Sequence, residues 1–258
     1  MAHLVGPIQF TGSVGNVRSY YDKKLKRYIL STKGGATKEL IHNSPAFERT
    51  RENMSEFAAC SEWASLLRKS FTALIHLIQG SYFSAIVSAS KAIQKYDTEH
   101  DKGSRSIMLS KAPGLVVGLD FNSYHPFDQV LTHQFTIGFS NDRTTVTLAL
   151  HDFIPHVHLR WPNRIQAYRF ALGIAQIPDY VMKPGERYYE PTVKNLLQRS
   201  VCSYTDWYPD STLLKDIMLS ASFVEQALSA SGTTVVVAVG IEILAQSSTP
   251  GYSGSESA

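Results

Sequence analysis

Apolar and polar positions change period along this chain, and the changes divide it. The stretch GPIQFTGSVGNVRSYYDKKLKRYILSTKGG, residues 6–35, has a period of two broken by short polar turns. Ile8 and Phe10 flank Gln9, and TGSVGN offers a turn. Val17, Ser19 and Tyr21 then alternate up to the polar turn Asp22-Lys23-Lys24, after which Tyr28 and Leu30 lie opposite Ile29. Such alternation predicts a small antiparallel meander, closed by Gly34-Gly35.

The period then lengthens. Ser44-Pro45 has the chemistry of a helix start, a capping hydroxyl followed by a residue with no amide hydrogen to leave unpaired, with a restart at Ser55. Phe57, Cys60, Ala64, Leu67, Phe71, Leu74 and Ile78 step by three and four, which predicts one long apolar helix stripe. After Gly80, Tyr82, Phe83, Ile86, Val87 and Ile93 predict a second helix to about Lys95.

DTEHDKGSRS, residues 97–106, is polar and reads as a loop and domain boundary. Beyond it the period returns to two, with strands expected at 116–121, 134–139, 146–150, 157–161, 168–174 and 235–243. Eight of the eleven prolines lie at or after Pro126, mostly between these runs. Many short strands with proline-marked connections predict an antiparallel sandwich or jelly roll. The Ser/Gly-rich tail reads as unstructured.

The expected fold class is therefore α+β. A β-hairpin arm (1–40) and a helical segment (41–96) precede a β-sandwich domain (107–246) and a disordered tail (247–258).

Composition refines this. The chain of 258 residues is 43% hydrophobic and 18% charged, values of a globular protein with a real core. Net charge is +3, but uneven: residues 1–70 hold 11 Lys and Arg against 6 Asp and Glu, and the remainder 14 against 16. A basic arm on a near-neutral body suits an anion or an acidic neighbouring subunit. The start MAHLVGPIQF lacks a signal-peptide pattern and no segment is apolar enough to span a membrane, so a cytoplasmic protein is expected.

Candidate chemistry is sparse. A phosphate loop needs a lysine and a hydroxyl after its last glycine, but Gly15 is followed by Asn16 and Val17. Cys60 and Cys202 form no zinc-type spacing, and Cys60 falls on the apolar stripe. His156 and His158 form an H-x-H pair whose rings share a face if they lie on a strand, near His151 and Asp152, the geometry of a partial metal site. Alternation with Val157, Leu159 and Trp161 instead points both rings to solvent. No G-x-S-x-G elbow is present. No enzyme activity, cofactor or metal is expected.

Two further features resemble a known family. The opening G-P-I-x-F-x-G-x-x-G-N and the segment N-S-P-x-F-x-R-x-R-E-N-x-S-E-F are similar to those of a family of uncharacterised Bacteroidota proteins. The likeness is close over residues 6–57 and loose beyond, with VVVAVGIEILAQ similar to the family's apolar last strand. It implies the domain plan and no catalytic residue.

The expected function is a non-enzymatic structural protein that self-associates through its arm into a homo-oligomer, filament, tube or shell. Phe10, Tyr20, Tyr21, Tyr28, Phe47, Arg49, Arg51, Glu52 and Phe57 are the candidate assembly residues, the arginines acting as latches on carboxylates. The alternative is nucleic-acid binding, with Arg18, Lys23, Lys24, Lys26 and Arg27 on phosphates and the interleaved tyrosines on bases.

Overall fold

The computed structural model describes residues 2–3, 6, 9–32, 34–183, 188–194, 200–211, 214–223, 231–246 and 255–257. It has an α+β architecture and falls into two compact units, residues 1–51 and 52–258.

The first unit carries β1 (Ala2–His3), β2 (Gly12–Val14), β3 (Val17–Asp22) and β4 (Arg27–Thr32). They form one antiparallel sheet in the order β1-β4-β3-β2. The expected meander is present, with a shift: its first strand is Gly12–Val14 rather than 8–10, because Gly15-Asn16 alone makes the turn between Val14 and Val17. Phe10 precedes that strand, and Ile8 lies outside the described residues. At the second turn Asp22 Oδ1 accepts from the amides of Lys24 and Leu25, at 2.9 and 3.0 Å, an Asx turn that fixes the tip. Helix α1 (Lys38–Asn43) follows, capped by Thr37 Oγ1.

Pro45–Phe47 is a single 3₁₀ turn leading into α2 (Glu48–Ser70). Helix α2 runs through Ser55 without the expected restart. Its hydroxyl-rich end closes it: Ser70 and Thr72 donate back to the carbonyls of Leu66 and Lys69. A 3₁₀ helix, Thr72–Leu77, continues the chain. Here the period falls from 3.6 to 3, so Phe71, Leu74 and Leu77 are the buried residues, not Ile78. Helix α3 (Phe83–Gln94) matches expectation, burying Ile86, Ala89 and Ile93.

The expected strand at 116–121 does not form. Pro113–Val116 is a 3₁₀ turn, and Gly118 stands at φ +77°, outside the extended region. Helix α4 (Phe127–Val130) leads to β5 (Thr136–Phe139) and β6 (Thr145–Phe153). The expected strand 157–161 is also absent. Pro155, good at the first position of a helix, opens the one-turn helix α5 (Pro155–His158) instead.

Then come β7 (Ile165–Pro178), β8 (Tyr180–Met182), β9 (Tyr189–Pro191), β10 (Ser200–Tyr204) and β11 (Tyr208–Pro209). The last are β12 (Leu214–Ser222), β13 (Thr233–Ala245) and β14 (Ser255–Ser257). Strand β14 pairs with Glu242–Leu244, so part of the tail expected to be unstructured adds to a sheet; residues 247–254 and 258 lie outside the described residues.

The second unit is layered. Sheet β10-β7-β13-β14, with β11 also on β7, faces the sheet β12-β6-β5. Between them Leu148, Leu150, Phe153, Phe170, Leu172, Ile174, Ile217, Ile241 and Ile243 form one core, the sandwich expected from the alternation. On the other face of β7 and β13, Trp63, Leu67, Phe71, Leu74, Leu77, Ile86 and Ile93 form a second core with Ala171, Ala175 and Ile177. Strand β7 is thus covered on both faces, and every residue from Phe170 to Pro178 is buried. The helices share a core with the strands, so the loop 97–106 lies within the second unit; the division falls at residue 51.

Candidate assembly surfaces

In the first unit, register settles which side chains share a face. Val17↔Thr32, Ser19↔Leu30 and Tyr21↔Tyr28 lie on one side of β3 and β4, and Arg18↔Ser31, Tyr20↔Ile29 and Asp22↔Arg27 on the other. Tyr21 and Tyr28 meet edge to face, with centroids 5.1 Å apart. Arg18 lies over the ring of Tyr20 at 5.8 Å, and its Nε donates to Ser31 Oγ at 3.1 Å. Arg18, Lys23, Lys24, Lys26 and Arg27 are all exposed, as are Tyr20, Tyr21 and Val14.

The other expected interface residues disperse. Among the described residues Arg51 pairs with no carboxylate. Its guanidinium donates to the carbonyls of Ile41 and Ser44, at 2.7 and 2.8 Å, closing the end of α1. Phe47 is half-buried on its 3₁₀ turn, and Arg49 is exposed on α2. Glu52 and Phe57 belong to the second unit; Phe57 is exposed rather than part of the buried stripe, which begins at Cys60.

The residue that organises α2 is Glu56, one position before Phe57. It is fully buried. Arg105 Nε and Nη2 each donate to its carboxylate at 2.7 Å, the Gly103 amide at 2.8 Å and Lys91 Nζ at 3.3 Å. Burial by itself pushes this carboxyl up, but the Arg105 pair and the Gly103 amide more than offset that and hold its pKa at about 2. Asp97 closes the same loop from its other end. It accepts from the amides of Glu99, His100 and Ser106 and from His100 Nδ1, and despite its burial it titrates below the usual carboxylate range.

The H-x-H pair does not assemble. On the one-turn helix α5 the two rings cannot share a face. His158 stacks on His133 at 4.0 Å between centroids, and its Nδ1 accepts from the Ile154 amide at 3.0 Å. Burial and the neighbouring His133 and His156 push its pKa down. Among the described residues no group of three His, Cys, Asp or Glu is placed to hold a metal ion. Burial raises the pKa of both the Cys60 and Cys202 thiols, the reverse of what activates a nucleophile. Among the described residues no helix is long and apolar enough to cross a membrane.

One surface of the second unit escaped the sequence reading. Strand β13 pairs with β7 along its whole length, from Thr233↔Pro178 to Ala245↔Ile165. On its other edge β14 covers only Glu242–Leu244, and among the described residues no strand pairs with Thr234–Ile241. This edge opens into a groove of about 580 Å³. Phe135, Ile137 and Phe139 wall it on the side of β5, and Val117, Leu119 and Phe121 on the other. The consequence shows in burial: Thr233–Val239 are all half-exposed, although the adjoining residues of β7 are fully buried.

Compared with known proteins, the chain matches no family model, no curated protein and no solved structure.

Proposed function

We propose that this chain is a non-enzymatic structural protein that self-associates, through its N-terminal arm, into a homo-oligomer or a larger assembly such as a filament, tube or shell. The observation that carries this reading is the composition of the arm's surface. A unit of 51 residues is too small to bury much of its own apolar area. It leaves Val14 67%, Leu25 51%, Tyr21 44% and Tyr20 39% exposed on a sheet whose outer strand β2 is exposed throughout. Uncovered sheet edges with exposed aromatics are templates for strand addition. Charge favours the same event: residues 1–51 hold nine Lys and Arg against three Asp and Glu, the rest sixteen against nineteen. A cytoplasmic setting belongs to the same proposal.

Light scattering on untagged protein over a concentration series tests it. The expected mass exceeds 28.7 kDa and grows with concentration. A monomer at every concentration overturns the reading. It then favours nucleic-acid binding, which the joint exposure of Arg18, Lys23, Lys24, Lys26 and Arg27 around one hairpin supports. In that case neutralising Lys23, Lys24, Lys26 and Arg27 abolishes retention on immobilised DNA and RNA.

A further inference from the structure

We propose that the groove along the free edge of β13 is the acceptor for an added strand, and that the strand is the segment around residues 4–10 of a second copy of this chain. This rests on the self-association proposed above and names the surface that receives the arm.

The acceptor has three parts. The first is the edge itself: the backbone of Thr234–Ile241 is laddered to β7 on one side and to no described strand on the other. The second is the pair of walls. Ile137 and Phe139 stand over the edge from β5, and Val117 and Leu119 stand over it from the opposite face. A single extended segment laid along the edge would be covered by both walls. About six residues opposite Thr234–Val239 would span about 20 Å of edge. The third part is the Thr234 hydroxyl, which is buried at the groove and has no hydrogen-bond partner among the described residues.

The walls also define the guest. A strand covered on both faces must be apolar on both, which excludes β3 and β4 with their alternating Arg, Ser and Thr. The segment LVGPIQF meets the condition over residues 4–8: in an extended chain Leu4 and Ile8 project to one side and Val5 and Pro7 to the other, and Phe10 continues the first side, while Gln9 is its one polar side chain. Pro7 costs little there, because the added strand becomes the new edge and half of its amides need no partner. Charge agrees as well. Asp120 and Asp128 are the groove's ionisable lining residues, and the segment leads directly into the unit that carries the excess cations.

Cross-linking between copies tests the inference. Ile8→Cys is placed in one preparation and Val117→Cys in another, both in a Cys202→Ser background. Val117 is 80% exposed, so its replacement leaves both cores intact. Mixing under mild oxidation is expected to give a covalent dimer of twice 28.7 kDa that neither preparation gives alone. A synthetic peptide of residues 2–11 in excess is expected to lower the mass of the native assembly. A self-associating protein that gives no mixed dimer and is untouched by the peptide overturns this inference and leaves self-association standing. A monomer at all concentrations overturns both. An internal disulfide in the Ile8→Cys/Val117→Cys double variant, without dimer, overturns the second copy as occupant.

Discussion

Replacing Glu56 by Gln leaves the Arg105 guanidinium and the Lys91 ammonium facing each other without their counter-charge. Breaking a buried pair from one side costs about 3–5 kcal/mol, so Glu56→Gln is expected to lower stability by an amount of that order. The pH dependence follows from the same contacts. A carboxyl held at about 2 when folded, against 4.5 ordinarily, contributes stability that is fully present above about 4.5 and is lost as the pH falls towards 2. Asp97, shifted in the same direction, adds to the loss. Urea midpoints between neutral and acid pH should therefore fall in the native chain and fall less steeply in Glu56→Gln. An equal acid slope in both proteins would remove Glu56 from this role. Nothing in the sequence marks Glu56 as different from Glu52, since its three partners come from residues 91, 103 and 105 and meet only in the fold.

Elements whose period and length agree were legible in the sequence. Tyr168, Phe170, Leu172 and Ile174 read as a strand because they face the sandwich core, and Cys60, Ala64 and Leu67 read as a helix for the equivalent reason. The failures came where a short run has two readings. Val116–Phe121 alternates like a strand, but Pro113 and Gly118 turn the chain. His156–Trp161 does the same, but Pro155 starts a helix. Strand β12 carries the same alternation, with Ile217, Leu219 and Ala221 buried between exposed Met218, Ser220 and Ser222, and is missing from the expected strands. The fit between helices and sheet depends on two strand glycines that read only as interruptions. A Cβ at Gly240 would lie 2.5 Å from Leu77 Cδ1, and one at Gly173 2.9 Å from Leu74 Cδ1. Gly240→Val is expected to cost about 1–3 kcal/mol by overpacking. A lowered melting temperature would show it, whereas an unchanged one would mean that Leu77 yields freely.

At the scale of the whole molecule, the two cores of the second unit draw on no buried residue before Ala59. A chain lacking residues 1–40 is thus expected to keep its strand content by circular dichroism and to unfold in one cooperative transition. It should also be monomeric, and a truncated chain that still assembles would shift the contact away from the arm. The sequence carried the sandwich but not its open side. Which strand lies at an edge is decided by the order β10-β7-β13, and β13 itself is so apolar that it reads as central.

That order divides the backbone amides of β13 into two kinds. Along a strand successive N–H groups point to opposite edges, so between Thr234 and Ile241 one set is held by β7 and the next faces the groove. The first set exchanges with deuterium only when the sheet opens, and the second whenever water enters. A free chain should therefore show slow and fast amides in alternation along β13, beside a β7 that is slow on every residue from Ala171 to Ala175, where β10 and β13 hold both edges. Any strand laid in the groove would erase that alternation, turning an edge into an interior.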